Sequence, residues 1–80
     1  MRQSRDFLVI TFSETSDAMA AEKLFQEHQI PGRIIPIPRQ LSAGCGLSWR
    51  TEPDEREIVR QTLDLAGIRW HEMELVKLWV

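Results

Sequence analysis

A single cysteine, four glycines and four prolines in 80 residues rule out several common chemistries at once. One thiol cannot close an internal disulfide, so a small extracellular domain stapled by disulfides is excluded. Thioredoxin-like redox chemistry lacks its second cysteine. With no CxxC pair, and with His28 and His71 scattered along the chain, one copy offers no ligand set for a structural metal. Gly44 and Gly46 form only a fragment of the glycine-rich nucleotide fingerprints, without a third glycine or a Lys-Ser/Thr pair. No cofactor is therefore expected.

Long apolar runs are missing too. No stretch approaches a membrane span. Residues Met1 to Asp6 lead into the short apolar run Phe7–Phe12, too brief for a signal-peptide core. A reducing cytoplasm is the expected location, and there Cys45 stays a free thiol. Positive charge is also in short supply: ten Lys and Arg face twelve Asp and Glu, a formal net charge of −2. Phosphate binding needs a clustered basic excess, and the aromatic-and-basic pattern of RNA-binding sheets is absent, so nucleic acid is not an expected partner.

What remains is ordinary globular material, 42% hydrophobic and 28% charged, in one domain spanning residues 1–80. Such a chain buries roughly 60–65% of its unfolded surface. Phe7–Phe12, rich in β-branched and aromatic residues, predicts a strand. Ser13, Thr15, Ser16 and Asp17 are helix-capping types, and Ala18, Ala21, Leu24, Phe25 and His28 then recur at helical spacing. Pro31 ends that helix. Arg33–Pro38, with two prolines, predicts an edge strand, and Leu47–Arg50 a short strand. Pro53 and Asp54 open a second helix, whose predicted buried face is Ile58, Val59, Thr62, Leu63 and Ala66, with Gly67 as its stop. Ile68–Val80 predicts a last strand, bulged or bent near Glu72–Glu74.

The order β-α-β-β-α-β predicts an α+β fold, the ferredoxin-like split arrangement of an antiparallel sheet with two helices on one face. That topology places the turn between the second and third strands beside the N-terminus of the first helix. It places His28 at the far end of the sheet and His71 near its lower edge or middle. Both faces of the first strand are apolar, so the helix-free face needs cover. The candidates are the tail, with Leu75, Leu78 and Trp79, or a second copy in a homodimer.

The turn in question is Ser42-Ala43-Gly44-Cys45-Gly46, between Pro38-Arg39 and Trp49-Arg50. A cysteine that only fills a core usually sits in an apolar run. Here glycines on both sides let the thiol stand clear of the backbone. Nearby arginines and a helix N-terminus favour the thiolate. Neither histidine is placed to act as a general base, so nucleophilic hydrolysis is disfavoured. A buried structural thiol, a thiol redox sensor and a non-catalytic interaction or oligomerising module remain alternatives.

Several of these residues carry a family likeness. Ser13–Asp17, Ala20-Ala21-Glu22-Lys23, Ile30-Pro31, Pro36-Ile37-Pro38-Arg39, Leu41-Ser42, Cys45-Gly46 and Arg50 together resemble the selenium/sulfur carrier protein-like family. The likeness covers about residues 7 to 71 and leaves 72–80 as a C-terminal extension that could serve an interface. It implies a carrier rather than a turnover enzyme. Cys45 would hold sulfur or selenium as a persulfide or selenosulfide and pass it between sulfur- or selenium-transfer enzymes. Gly44, Gly46, Ser42, Arg39 and Arg50 would form its surroundings. Two positions depart from the family pattern: Gly44 stands where a serine- or aspartate-like residue is commoner, and Gln29 replaces a glycine closing the first helix.

Overall fold

The computed structural model describes residues 3–41 and 44–79. The order is β1 (Ser4–Thr11), α1 (Thr15–Glu27), β2 (Arg33–Pro36), β3 (Leu47–Thr51), α2 (Arg56–Ala66) and β4 (Met73–Trp79), with a 3₁₀ turn at Pro53–Glu55 leading into α2. The strands lie in the order β2-β3-β1-β4, and each neighbouring pair is antiparallel. β1 and β2 are thus parallel with β3 between them, as the split β-α-β-β-α-β order requires. Both loops at the C-terminal ends of β1 and β2 therefore meet at one edge of the sheet.

The helix side of the sheet holds the main core. Leu8, Ile10 and Phe12 from the β1 region meet Ala18, Ala21 and Phe25 of α1, Trp49 of β3, and Val59 and Leu63 of α2. Phe25 and Trp49 pack with ring centroids 5.0 Å apart. The helices bury less than their sequences suggest. Ile58 and Ala66, expected inside, are exposed, because α2 buries only Val59, Thr62 and Leu63, and His28 is exposed at the cap beyond α1.

The helix-free face is covered from within the chain. Phe7, Val9 and Val76 are buried there, with Leu41 and Leu78 packed on them. The guanidinium carbons of Arg5 and Arg50 lie 4.1 and 4.5 Å from the Phe7 ring centre. Arg5 is tied in turn to Glu52 at 2.6 and 3.0 Å, and this bond holds the Glu52 carboxyl below its ordinary range. Of the tail residues expected to supply cover, only Leu78 does so. Leu75 and Trp79 alternate onto the other side of β4 and are 51% and 62% exposed.

The last strand begins later than its sequence predicts. Residues 68–70 are irregular, and β4 pairs with β1 without interruption from Met73↔Ile10 to Trp79↔Ser4. The expected bulge lies just ahead of the strand, at His71 and Glu72, which both face Thr11. The His71 N–H donates to the Thr11 carbonyl, the Thr11 N–H to the Glu72 carbonyl, and the Glu72 N–H to Thr11 Oγ1. A side chain thus takes up the amide that the bulge leaves over.

Gln29 shows how α1 ends. Its φ is +57°, the left-handed position where helices usually place glycine, and the Ile30 N–H closes the motif on the Phe25 carbonyl. The left-handed geometry costs a side chain about 1–2 kcal/mol, offset by roughly 0.5–1 kcal/mol of glycine's extra unfolded freedom. Gln29→Gly should therefore stabilise the fold by about 0.5–1 kcal/mol, read as a rise of a few degrees in melting temperature.

Candidate functional site

The site forms where the β2–β3 hairpin folds back on the start of α1. The Ile37 N–H donates to the Gly46 carbonyl at 3.0 Å, extending the β2–β3 ladder beyond Pro36↔Leu47. Pro38–Leu41 makes a turn closed by the Leu41 N–H on the Pro38 carbonyl, which presents Arg39 to solvent. Ser42, expected as part of the site, lies outside the described residues. Gly46 has φ +75°, so here the flanking glycine answers a backbone requirement.

Gly44 answers a different one. A Cβ at this position would stand 2.8 Å from the Ser13 carbonyl oxygen, just ahead of α1. The hairpin tip therefore does reach the entrance of the first helix, and it does so by backbone contact. A serine or aspartate at position 44 would force the loop or Ser13 to move. Gly44→Ala should lift the tip from Ser13, at a cost of about 1–3 kcal/mol for the overpacking. It should also speed alkylation of Cys45 by iodoacetamide. Unchanged melting and unchanged alkylation together would show that the Ser13 contact does not hold the tip.

Cys45 itself is half-buried, packed on the edge of the helix-side core. The Leu47 N–H donates to its Sγ at 3.4 Å, and Sγ lies 3.5 Å from the Leu47 carbonyl, to which the thiol can donate. The thiol was expected to stand clear of the backbone. It folds back on its own chain instead, because the left-handed turn at Gly46 brings Leu47 over it. The sulfur's hydrogen bonds among the described residues run to Leu47, not to the amides of Ser16–Met19 at the start of α1.

The expected arginines separate. Trp49 points into the helix-side core, so Arg50, its neighbour in β3, points to the other face and stacks on Phe7. Its guanidinium is half-buried, and its pKa falls through desolvation first, then through Arg33 and Arg5. Arg50 therefore sits on the opposite face from the core against which Cys45 packs. Arg39 is exposed on the hairpin turn.

The histidines correct the sequence picture in another way. His71 lies at the upper end of the sheet, bonded to Thr11, rather than at its lower edge or middle, because the bulge ahead of β4 sets it there. Its Nδ1 is 3.5 Å from Glu72 Oε1. It shares the Cys45 end of the sheet, but β1 stands between β4 and the β2–β3 hairpin. His28 stays at the C-terminal end of α1. Among the described residues there is no metal-ligating cluster, and no helix is long and apolar enough to cross a membrane.

An open cleft of about 690 Å³ lies beside the same edge of the sheet, and sequence reasoning did not anticipate it. Ser13, Glu14, Asp17, Asp64, Arg69 and Trp70 are among its lining, and Cys45 is not. Asp17 Oδ2 accepts no hydrogen bond there and is balanced by the Arg69 guanidinium at 3.8 Å.

A family model described as "Putative Se/S carrier protein-like" matches residues 7–73. The chain belongs to this family. The matched span takes in the sheet except the first three residues of β1 and most of β4, together with Cys45 and both glycines that flank it. β4 beyond Met73 lies outside it, so the exposed Leu75 and Trp79 fall in the C-terminal extension of this carrier-like chain. No match is found among curated proteins or solved structures.

Proposed function

We propose that the protein carries a sulfur or selenium atom on Cys45 and passes it between transfer enzymes. The observation that supports this best is the geometry of the one thiol. It sits at a hairpin tip inside the family-matched span, half-exposed, with a backbone N–H on its sulfur. A donor N–H there serves an anionic sulfur, whether thiolate or persulfide.

The transfer is a thiol–disulfide type exchange and is redox-neutral. The Cys45 thiolate attacks the terminal sulfur of a donor's persulfide, forming an S–S bond at Sγ. The donor's own S–S bond breaks, and its cysteine leaves as a thiolate. An acceptor thiolate then takes the terminal sulfur from Cys45 in the same way. A selenosulfide differs only in the atom carried. No histidine base is needed in either step, in keeping with imidazoles that lie away from the thiol. Arg39 is exposed on the same hairpin, where an incoming partner would meet it, and Arg50 lies against Phe7 on the helix-free face.

Incubation with a cysteine desulfurase and cysteine should add one sulfur atom to the protein by intact mass, and Cys45→Ser should abolish the gain. No adduct, together with an alkylation pH profile like that of free cysteine, would contradict the carrier function.

A second role has its own observation. Leu75 and Trp79 are exposed on the edge strand β4. An assembly or interaction module would use them and would survive Cys45→Ser unchanged.

A further inference from the structure

Charge is distributed unevenly in this chain. Between Glu27 and Glu52 the only residues of fixed charge are Arg33, Arg39 and Arg50, although the protein as a whole is acidic. That segment is β2, the Cys45 loop and β3. The fold then brings two of the three arginines together. Arg33 and Arg50 are direct cross-strand partners, and Arg50 is also the partner of Val9, which faces the helix-free side. Their side chains therefore share that face.

Like charges directly opposite each other on a sheet are destabilising. Among the described residues neither arginine has a carboxylate partner in an ion pair, while Arg5 close by is taken up by Glu52. The Arg50 guanidinium carbon lies 4.5 Å from the Phe7 ring centre, a cation–π contact that holds the group on this face. Arg39 continues the basic surface onto the turn that leads to Cys45.

We infer that the β2–β3 hairpin is a docking surface for an acidic protein, with Arg33, Arg39 and Arg50 as its contacts. The inference rests on the carrier function only in taking that protein to be a sulfur- or selenium-transfer enzyme. The three arginines run from the start of β2 to the turn beyond its end, which is more than one small anion can span. A nucleic acid is disfavoured because no exposed aromatic ring lies among them and Glu52 and Glu74 share the face. Opposite charge across such a surface raises the encounter rate and sets orientation, and salt screens it.

The test uses the full chain and a short, unreactive glutamate-rich peptide. The peptide should shift the backbone amide resonances of Arg33, Arg39 and Arg50 and bind more weakly as salt rises. The Arg33→Glu/Arg39→Glu variant, altered only at exposed positions and checked to melt no lower than the wild type because it replaces the Arg33–Arg50 repulsion with an opposite-charge pair, should bind it roughly tenfold more weakly. Resonance shifts centred elsewhere, equal binding by the variant, or tighter binding of a single-stranded oligonucleotide of the same charge would each overturn the docking surface. Loading of wild-type Cys45 by inorganic polysulfide needs no docking and is followed in parallel. Failure there counts against the carrier function, and the peptide result still judges the docking surface.

Discussion

Gly32→Ala should cost the protein about 3 kcal/mol or more, close to the whole stability of many domains this small. Gly32 has φ +141°, a region essentially reserved for glycine, where a side chain costs roughly 1–3 kcal/mol. An added Cβ would also press into the Arg50 carbonyl and stand 2.8 Å from the Trp49 indole. Neither neighbour can yield cheaply. Arg50 is bonded within the β2–β3 and β1–β3 ladders, and Trp49 is 1% exposed, wedged against Phe25.

Thermal unfolding should register this as a fall of more than about 12 °C, at roughly 4–8 °C per kcal/mol for a domain of this size. A drop of only a degree or two would mean that β2 can slide away from Trp49, and that the hairpin carrying Cys45 is not anchored at its base. The consequence reaches the site, since β2 and β3 are the two legs that hold the Cys45 turn against Ser13.

Much of this fold was legible in the sequence, and for identifiable reasons. Phe7–Ile10 is apolar on both sides because β1 is central in the sheet and buried on both faces, so its strand signal was strong. Pro53 and Gly67 mark the start and stop of the second helical segment because their backbone constraints are local. The strand order followed from the element order.

Other features depended on partners distant in sequence. Gly44 reads as a flexible neighbour of Cys45 until Ser13, just beyond β1 and distant in sequence, is seen against it. Arg50 reads as a neighbour of the thiol in sequence. Sheet alternation decides otherwise, because Trp49 fills the core and turns the next residue to the other face. The thiol's return onto Leu47 hangs on one left-handed glycine whose φ no local pattern announces. His71 reaches the upper end of the sheet because the bulge falls before β4 rather than within it, which no local signal marks. The cover over Phe7 and Val9 also comes partly from the hairpin loop, through Leu41, which pairs with nothing in the sheet.

The second large effect is all-or-none. Cys45 is the only cysteine in the chain, so a sulfur atom carried as a persulfide has one place to sit. Serine in its place keeps the size and a hydrogen-bonding oxygen beside Leu47 but cannot form an S–S bond. The fold should survive, because Cys45 sits at the edge of the core rather than inside it. Loss of sulfur binding in a variant that melts like the wild type would then report chemistry and not stability.

The most direct measurement loads the reduced protein with inorganic polysulfide, removes the excess and weighs the intact chain before and after adding a thiol. A carrier gains one sulfur atom on Cys45, holds it through the separation, and gives it up to the thiol with return to the starting mass, while Cys45→Ser gains nothing. A wild-type protein that takes up no sulfur, or a Cys45→Ser variant that takes up as much as the wild type, would contradict the assignment of Cys45 as the carrier.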